Sequence, residues 1–180
     1  MKKISILVIT TLLISSCSSS TQESSPGVVP GCDQIKLLDT ADKSIPMQCL
    51  DGVGSINFHQ LKGPMVINVW GSWCEGCKEE MPYFVDLYKT ASFKSGQIQL
   101  LGINVEESSK EDAIEYIKQS GMSWAHLEDL DGISKSIFGP GVPVTWFINE
   151  AGENVGTKFG AYTNKDQLFE QVEKTFGIKL

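Results

Sequence analysis

The segment "PMVINVWGSWCEGCKEEMP", residues 64–82, constrains the fold of this chain more than any other. Its first seven residues form a nearly continuous apolar run with β-branched members, which is typical of a strand buried on both faces of a sheet. From Cys74 onward the pattern predicts a helix, which includes Cys77 and in which Pro82 should cause a kink. A buried strand that leads directly into a helix indicates an α/β domain.

Other segments predict further strands and helices. Residues 98–105 predict a second buried strand, and residues 144–149 and 154–160 predict an antiparallel hairpin. Residues 34–38 and 45–49 are short strand candidates around a polar turn. Helix starts are predicted by Ser108 with Glu111, which resemble a capping box, and by Asn164. The order of these elements predicts an α/β sandwich with a mixed sheet.

The N-terminus has the pattern of an export signal. Two lysines precede an apolar run over residues 4–14, which is too short to span a bilayer as a mature helix. The run ends in "ISSC", which resembles a bacterial lipoprotein signal in which Cys17 becomes the lipidated N-terminus; an ordinary secretory signal is the alternative. We therefore expect a signal peptide over residues 1–16 and a flexible Ser-, Pro- and Gly-rich tether over residues 17–31.

Lipidation of Cys17 would account for the odd number of cysteines. The chain has five, and four remain after this assignment: Cys32, Cys49, Cys74 and Cys77. Outside the cytoplasm such residues can persist as two disulfides. The formal net charge of −7 argues against nucleic acid as a partner. Acyl chains rather than surface charge would therefore attach the protein to a membrane.

The Cys-x-x-Cys pair has three chemical interpretations. A structural zinc site needs two further ligands, and His59 and His126 do not have the spacing of such a set. A purely structural disulfide would close too small a loop to restrict the unfolded chain much. The third interpretation is redox exchange, in which the helix N-terminus stabilises the Cys74 thiolate as the nucleophile. Cys77, one turn later, would then attack the resulting mixed disulfide.

Two segments resemble membrane-anchored thioredoxin-like proteins of the TlpA/ResA type. One is "VINVWGSWCEGCKEEMP", and the other is "GVPVTWFINEAGENVGTKFG". The resemblance covers residues 32–180 and implies a thioredoxin fold with an N-terminal hairpin extension and a central βα insertion. Relatives often carry Pro before the second Cys, whereas this chain has Gly76, so a redox potential cannot be carried over.

The resemblance also implies roles for residues around the cysteines. Glu80 matches the active-site glutamate of the family and would serve as proton acceptor, since Asn68 stands where classical thioredoxins have an aspartate. Pro143 matches the cis-proline that faces the cysteines, and the Val142 backbone would pair with an extended substrate. Trp73 and Trp70 are expected either to flank the site or to belong to the core. Both histidines are expected to be surface or hydrogen-bonded residues.

The expected activity is that of a thiol–disulfide oxidoreductase on the outer face of the cytoplasmic membrane. Glu75 and Glu80 place negative charge near the sulfurs, which disfavours the thiolate and favours a reductase over an oxidase. Cys32 and Cys49 are expected to form a structural disulfide, with a second redox relay as the alternative. Family resemblance implies apocytochrome c thiols as substrates in cytochrome c maturation, and a CcdA/DsbD-type membrane protein as electron donor. We expect a monomer without a cofactor or metal.

Two other functions are compatible with this fold. A thioredoxin-fold peroxide reductase usually has Thr and Pro before a single peroxidatic cysteine, which differs from this tryptophan-flanked pair. A copper-carrying protein similar to the Sco type would use Cys74, Cys77 and His126, although that type has a Cys-x₃-Cys spacing.

Overall fold

The computed structural model describes residues 29–180. The predicted signal peptide, Cys17 and most of the tether lie outside these residues. Seven strands form one sheet: β1 (Pro46–Cys49), β2 (Ser55–Asn57), β3 (Met65–Trp70), β4 (Gln99–Val105), β5 (Ala125–Asp129), β6 (Val144–Ile148) and β7 (Asn154–Phe159). The helices are α1 (Glu75–Tyr88), α2 (Ala91–Lys94), α3 (Lys110–Ser120), α4 (Ser134–Phe138) and α5 (Lys165–Phe176). Short 3-10 turns cover Cys32–Gln34 and Phe58–Gln60.

The sheet is mixed, with the strand order β2-β1-β5-β4-β3-β6-β7. Strands β3, β4 and β5 run parallel, and β6 pairs antiparallel with β3. The hairpin of β1 and β2 extends the sheet beyond β5, and α3 with β5 forms an additional unit in the middle of the chain. This architecture confirms the predicted thioredoxin fold with its hairpin extension and central insertion.

The sheet separates two hydrophobic cores. Along β3 the side chains alternate, so Val66 and Trp70 face the core under α1, α3 and α5, while Ile67 and Val69 face the opposite core. The second core is covered by α4, through Phe138, and by residues that precede β3. Every residue of β3 is buried, as the continuous apolar run predicts.

Several predicted details are wrong. Residues 34–38 form no strand apart from an isolated bridge between Leu37 and Leu61. The N-terminal hairpin is instead β1 with β2, so Cys49 lies within the hairpin. Helix α3 begins one residue later than predicted, because Ser109 rather than Ser108 accepts a hydrogen bond from the amide of Asp112. Asn164 does cap α5, by accepting from the amide of Gln167.

Candidate active site

Cys74 and Cys77 lie at the start of α1, joined in a disulfide. Cys74 is the N-cap residue of the helix, and its Sγ accepts a hydrogen bond from the Cys77 amide at 3.1 Å. The free N–H groups of a helix start and its dipole stabilise negative charge at this position. Cys74 keeps 6% of its surface exposed and Cys77 none. The sulfur that is favoured as a thiolate is therefore also the more accessible one.

The loop before Cys74 is held by one carboxylate. Glu107, just after β4, accepts hydrogen bonds from the Ser72 amide at 2.6 Å and from the Ser72 hydroxyl at 2.7 Å. The side-chain amide of Asn104 donates to the same carboxylate at 2.7 Å. The indole of Trp73 donates to the carbonyl of Val105 at 3.2 Å. These four hydrogen bonds attach the cysteine-bearing loop to the end of β4.

Trp73 and Trp70 have different environments. Trp73 is 49% exposed beside Cys74, and its indole covers Gly71 so closely that a methyl group there would overlap the ring. Trp70 is fully buried, and its Nε1 donates to Nδ1 of His126 at 3.2 Å. Only Trp73 is therefore placed to contact a molecule that approaches Cys74.

Glu80 is a fully buried carboxyl on the first turns of α1. It accepts hydrogen bonds from the Asn68 side-chain amide at 3.0 Å and from the Tyr162 amide at 2.9 Å. Burial raises the pKa of Glu80 to about 7, although both hydrogen bonds and the charge of Lys158 act in the opposite direction. Glu80 lies one helical turn after Cys77, which is also buried, whereas neighbouring Glu79 is exposed. A carboxyl with this pKa can exchange a proton near neutral pH.

The Val142–Pro143 segment lies opposite the cysteines. The Val142–Pro143 peptide is cis. A Cβ atom built on Gly76 would lie 3.5 Å from Cδ of Pro143, so the Cys-x-x-Cys turn and the proline are neighbours. Within residues 29–180 neither the N–H nor the C=O of Val142 has a hydrogen-bond partner. This backbone remains available to an extended chain.

Cys32 and Cys49 are joined in a second disulfide, on the other side of the sheet. Both sulfurs belong to the core under α4, whereas Cys74 and Cys77 belong to the core under α1. Cys49 pairs with Leu127 of β5, which is two strands from β3. At the usual strand spacing Cys49 and β3 are about 14 Å apart. The sheet therefore prevents direct exchange between the two disulfides.

His126 meets the expectation of a hydrogen-bonded residue only in part, because one of its two ring nitrogens has a partner. It is fully buried on β5, and burial lowers its pKa to about 3. Its Nδ1 accepts from Trp70, while its Nε2 has no partner among residues 29–180. No sequence pattern indicated the burial of this histidine, because the space for the imidazole exists only where Gly102 of β4 lacks a side chain. Residues 29–180 contain no group of three or more potential metal ligands.

Comparison with known proteins agrees with this geometry. The family model described as AhpC/TSA matches residues 40–171. The chain belongs to the AhpC/TSA family. Thiol-disulfide oxidoreductase ResA of Bacillus subtilis is 32% identical over 128 residues, which cover 71% of this chain and 64% of ResA. Sporulation thiol-disulfide oxidoreductase A of Bacillus subtilis is 27% identical over 161 residues, which cover 87% of each chain.

Solved structures share the fold. The crystal structure of StoA from Bacillus subtilis has a TM-score of 0.55 and 23% identity, and the match covers 70% of this chain and 93% of StoA. The resemblance to ResA-type proteins inferred from the two motifs is confirmed. The chain spans 64% and 56% of the lengths of two ResA relatives that it matches.

Proposed function

We propose that this protein is a thiol–disulfide oxidoreductase that reduces disulfides of exported proteins through Cys74 and Cys77. The observation that carries this proposal is the position of Cys74 at the N-cap of α1. Its sulfur accepts a hydrogen bond from the Cys77 amide, and Cys74 remains partly exposed while Cys77 is buried. The relatives named as thiol–disulfide oxidoreductases support the same reaction.

The reaction proceeds in two exchanges. In the reduced protein the Cys74 thiolate attacks a substrate disulfide, which forms a mixed disulfide and releases one substrate thiolate. The Cys77 thiol then loses its proton, for which the Glu80 carboxylate is the acceptor, and attacks the sulfur of Cys74. This step releases the second substrate thiolate. The protein has then lost two electrons, the substrate has gained them, and an external dithiol donor must restore the reduced state.

The reducing direction rests on the charges near the sulfurs. Glu80 is buried on the Cys77 side of the helix, and Glu75 lies between the two cysteines. Negative charge destabilises the thiolate of the reduced protein relative to the disulfide, which lowers the reduction potential of the couple and favours the reductase direction. The amino group of Lys78 lies 3.8 Å from the carboxylate of Glu75 and could offset this negative charge. The effect is weak because both side chains are exposed to water, which screens the pair.

Trapping of the mixed disulfide tests this proposal. With Cys77→Ala the substrate should remain bound to Cys74, because no second thiol releases it. Cys74→Ala is the matched control and should trap nothing. Equal trapping by the two variants would contradict the assignment of the nucleophile, and the absence of trapping by both would contradict the reaction.

Two further measurements separate this activity from the two other functions: the rate of Cys74 oxidation by hydrogen peroxide and the binding of Cu(I). A peroxide reductase would oxidise Cys74 with hydrogen peroxide faster than with protein disulfides. A copper carrier would bind Cu(I) tightly in its reduced form and would require His126. The buried environment of His126, whose Nδ1 already accepts from Trp70, argues against that role.

The proposal includes a membrane anchor, a cellular location and two protein partners. We propose lipidation at Cys17, a position on the outer face of the cytoplasmic membrane, apocytochrome c as one substrate and a CcdA/DsbD-type membrane protein as donor. In the part of the chain that the structure covers, no helix has the length and apolarity needed to cross a bilayer. Cys17→Ala should release the protein from membranes while Cys74 and Cys77 remain redox-active. Retention of this variant in the membrane fraction would contradict lipid anchoring.

A further inference from the structure

The turn that follows β7, residues 159–162, connects two parts of the active site. Its Gly160 amide donates a hydrogen bond to the carbonyl of Pro143 at 2.9 Å. Two residues later, the amide of Tyr162 donates to the buried carboxyl of Glu80 at 2.9 Å. The β7–α5 turn therefore joins the proline that faces the cysteines to the carboxyl that lies beneath them.

One lysine side chain closes this turn. The ammonium of Lys158 donates to the carbonyls of three consecutive residues: Phe159 at 2.7 Å, Gly160 at 2.9 Å and Ala161 at 3.3 Å. An ammonium carries three donors, so these carbonyls use all of them. Among residues 29–180 this lysine forms no ion pair with a carboxylate. The side chain therefore binds the backbone of the turn and not an acidic partner.

The same lysine lies beside the ring of Tyr162. Its amino nitrogen is 5.5 Å from the centre of this ring, which is buried. The hydroxyl of Tyr162 donates to the side chain of Gln171 on α5 at 2.7 Å, so the far end of the ring is attached to that helix. The Tyr162 amide that binds Glu80 is therefore held from two sides, by the closed turn before it and by α5 after it.

We infer that Lys158 is a positioning residue for the proposed reaction: by closing the turn, it holds the Tyr162 amide against the Glu80 carboxylate. The inference rests on the proposed function, in which Glu80 accepts the proton of Cys77. A hydrogen bond to the ionised form and a nearby positive charge both lower the pKa of a carboxyl. Both effects oppose the burial that raises the pKa of Glu80 to about 7. Without Lys158, Glu80 would keep its proton to higher pH and would serve less well as an acceptor.

Other titratable groups near Glu80 do not obscure this effect. Tyr116 of α3 and Tyr162 sense its charge, and burial raises the pKa of both hydroxyls further above neutral pH. On α1 itself, Glu75 and Glu79 are exposed. The two active-site cysteines do not titrate while they are joined in the disulfide. The ionisation of Glu80 can therefore be followed in the oxidised protein.

Lys158→Met tests the inference. In the oxidised protein, carbon NMR of the Glu80 carboxyl should show its pKa raised by about one unit. The wild-type carboxyl is half ionised near pH 7, and after such a rise about a tenth would be ionised there. Reduction of glutathione disulfide by the full chain at pH 7 should therefore be about fivefold slower. In the Glu80→Gln background the same substitution should not slow the reaction, because the acceptor is already absent.

Lys165→Met is the matched control. Lys165 also lies over an aromatic ring, that of Phe169, at 4.8 Å from its centre. It donates to the exposed carboxylate of Asp86, however, and not to backbone carbonyls. Its removal should leave both the titration of Glu80 and the rate of reduction unchanged.

Amide NMR separates positioning from an effect of charge alone. In the wild type the Tyr162 amide proton should shift as Glu80 ionises, and in Lys158→Met this response should shrink because the hydrogen bond is lost. An unchanged amide response, or an unchanged Glu80 titration, would overturn the inference. If the variant does not fold, the wild type decides: the Lys158 ammonium protons should exchange with water more slowly than those of Lys165, and equal rates would overturn the inference. Failure of the wild type to reduce any disulfide would instead contradict the proposed function.

Discussion

At the scale of single residues, Glu80 differs most from an ordinary helical acid. Its carboxyl has no exposed surface and is held by Asn68 and by the Tyr162 amide, which belong to different elements. A carboxylate in this position retains its hydrogen bonds but loses its hydration. Its proton affinity therefore depends on the fold. Substitution of Glu80 should have two measurable effects, one on the cysteines and one on the pH dependence of stability.

Glu80→Gln should change the chemistry of the cysteines. Removal of the negative charge should lower the thiol pKa and shift the Cys74–Cys77 couple to a more oxidising potential. The exchange rate near neutral pH should fall nevertheless, because the amide accepts no proton. Thiolate absorbance, equilibration with glutathione and stopped-flow rates measure these effects. Glu79→Gln is the matched control, and identical behaviour of the two variants would remove Glu80 from the active site.

The same substitution should change how stability depends on pH. The pKa of Glu80 is raised from 4.5 to about 7 in the folded protein, so its favourable contribution is fully present below pH 4.5 and is lost as pH rises through 7. The loss amounts to roughly 3 kcal/mol. Urea unfolding of oxidised wild-type protein should therefore lose about this much free energy, relative to Glu80→Gln, from pH 4.5 to pH 8. Parallel pH profiles for the two proteins would contradict the raised pKa.

At the scale of elements, the loop before Cys74 depends on the end of β4. Glu107 binds Ser72 through both carboxylate oxygens and also accepts from Asn104. Hydrogen bonds to a charged acceptor are stronger than neutral ones. The carboxylate therefore fixes the approach of the chain to the N-cap of α1.

A double-mutant cycle tests this contact. Glu107→Ala should lower the free energy of unfolding by about 2 kcal/mol, since hydrogen bonds to charged groups contribute about 1.5–3 kcal/mol each. Ser72→Ala should cost less, and the two effects should not add, because the residues share the contact. Exchange rates should show the same non-additivity. Glu111→Ala, at an exposed position of α3, is the control, and strict additivity of Glu107→Ala with Ser72→Ala would contradict the contact.

Sequence patterns predicted the elements whose signal is local. The apolar runs of β3 and β4 and the cap at Asn164 are short-range features, and the structure contains each of them. No local pattern located strand β5, which only the family resemblance implied as part of the central insertion. Its segment "AHLED" lacks an apolar run, and His126 is buried there only because Gly102 leaves space. Glu107 was missed for a related reason, since its polar surroundings resemble a turn and its partner Ser72 is 35 residues away.

At the scale of the whole molecule, the second disulfide fixes the segment before β1 to the sheet. Cys49 is buried within the hairpin, and Cys32 packs against the same core from the N-terminal segment. The bond closes a loop with a sequence separation of 17. In the chain-entropy account such a bond stabilises by restricting the unfolded chain.

Removal of this bond should affect stability more than activity. The double variant Cys32→Ser/Cys49→Ser should lose about 3 kcal/mol of unfolding free energy, as expected for a loop of this length. Its rate of disulfide exchange at Cys74 should match that of the wild type, because the sheet separates the two pairs. Urea unfolding and single-turnover kinetics check both expectations. A loss of exchange in a folded variant would support the redox relay instead.

The sheet separates the two cysteine pairs, because each pair belongs to a different hydrophobic core. Each sulfur pair faces its own side of the molecule, so a reductant that reaches one side gains no access to the other through the protein interior. One chain can therefore hold the oxidised Cys74–Cys77 pair and the Cys32–Cys49 disulfide at the same time, without exchange of sulfur partners between them. In the proposed reaction, Cys74–Cys77 can therefore open and close repeatedly without direct exchange with Cys32–Cys49 through the protein interior.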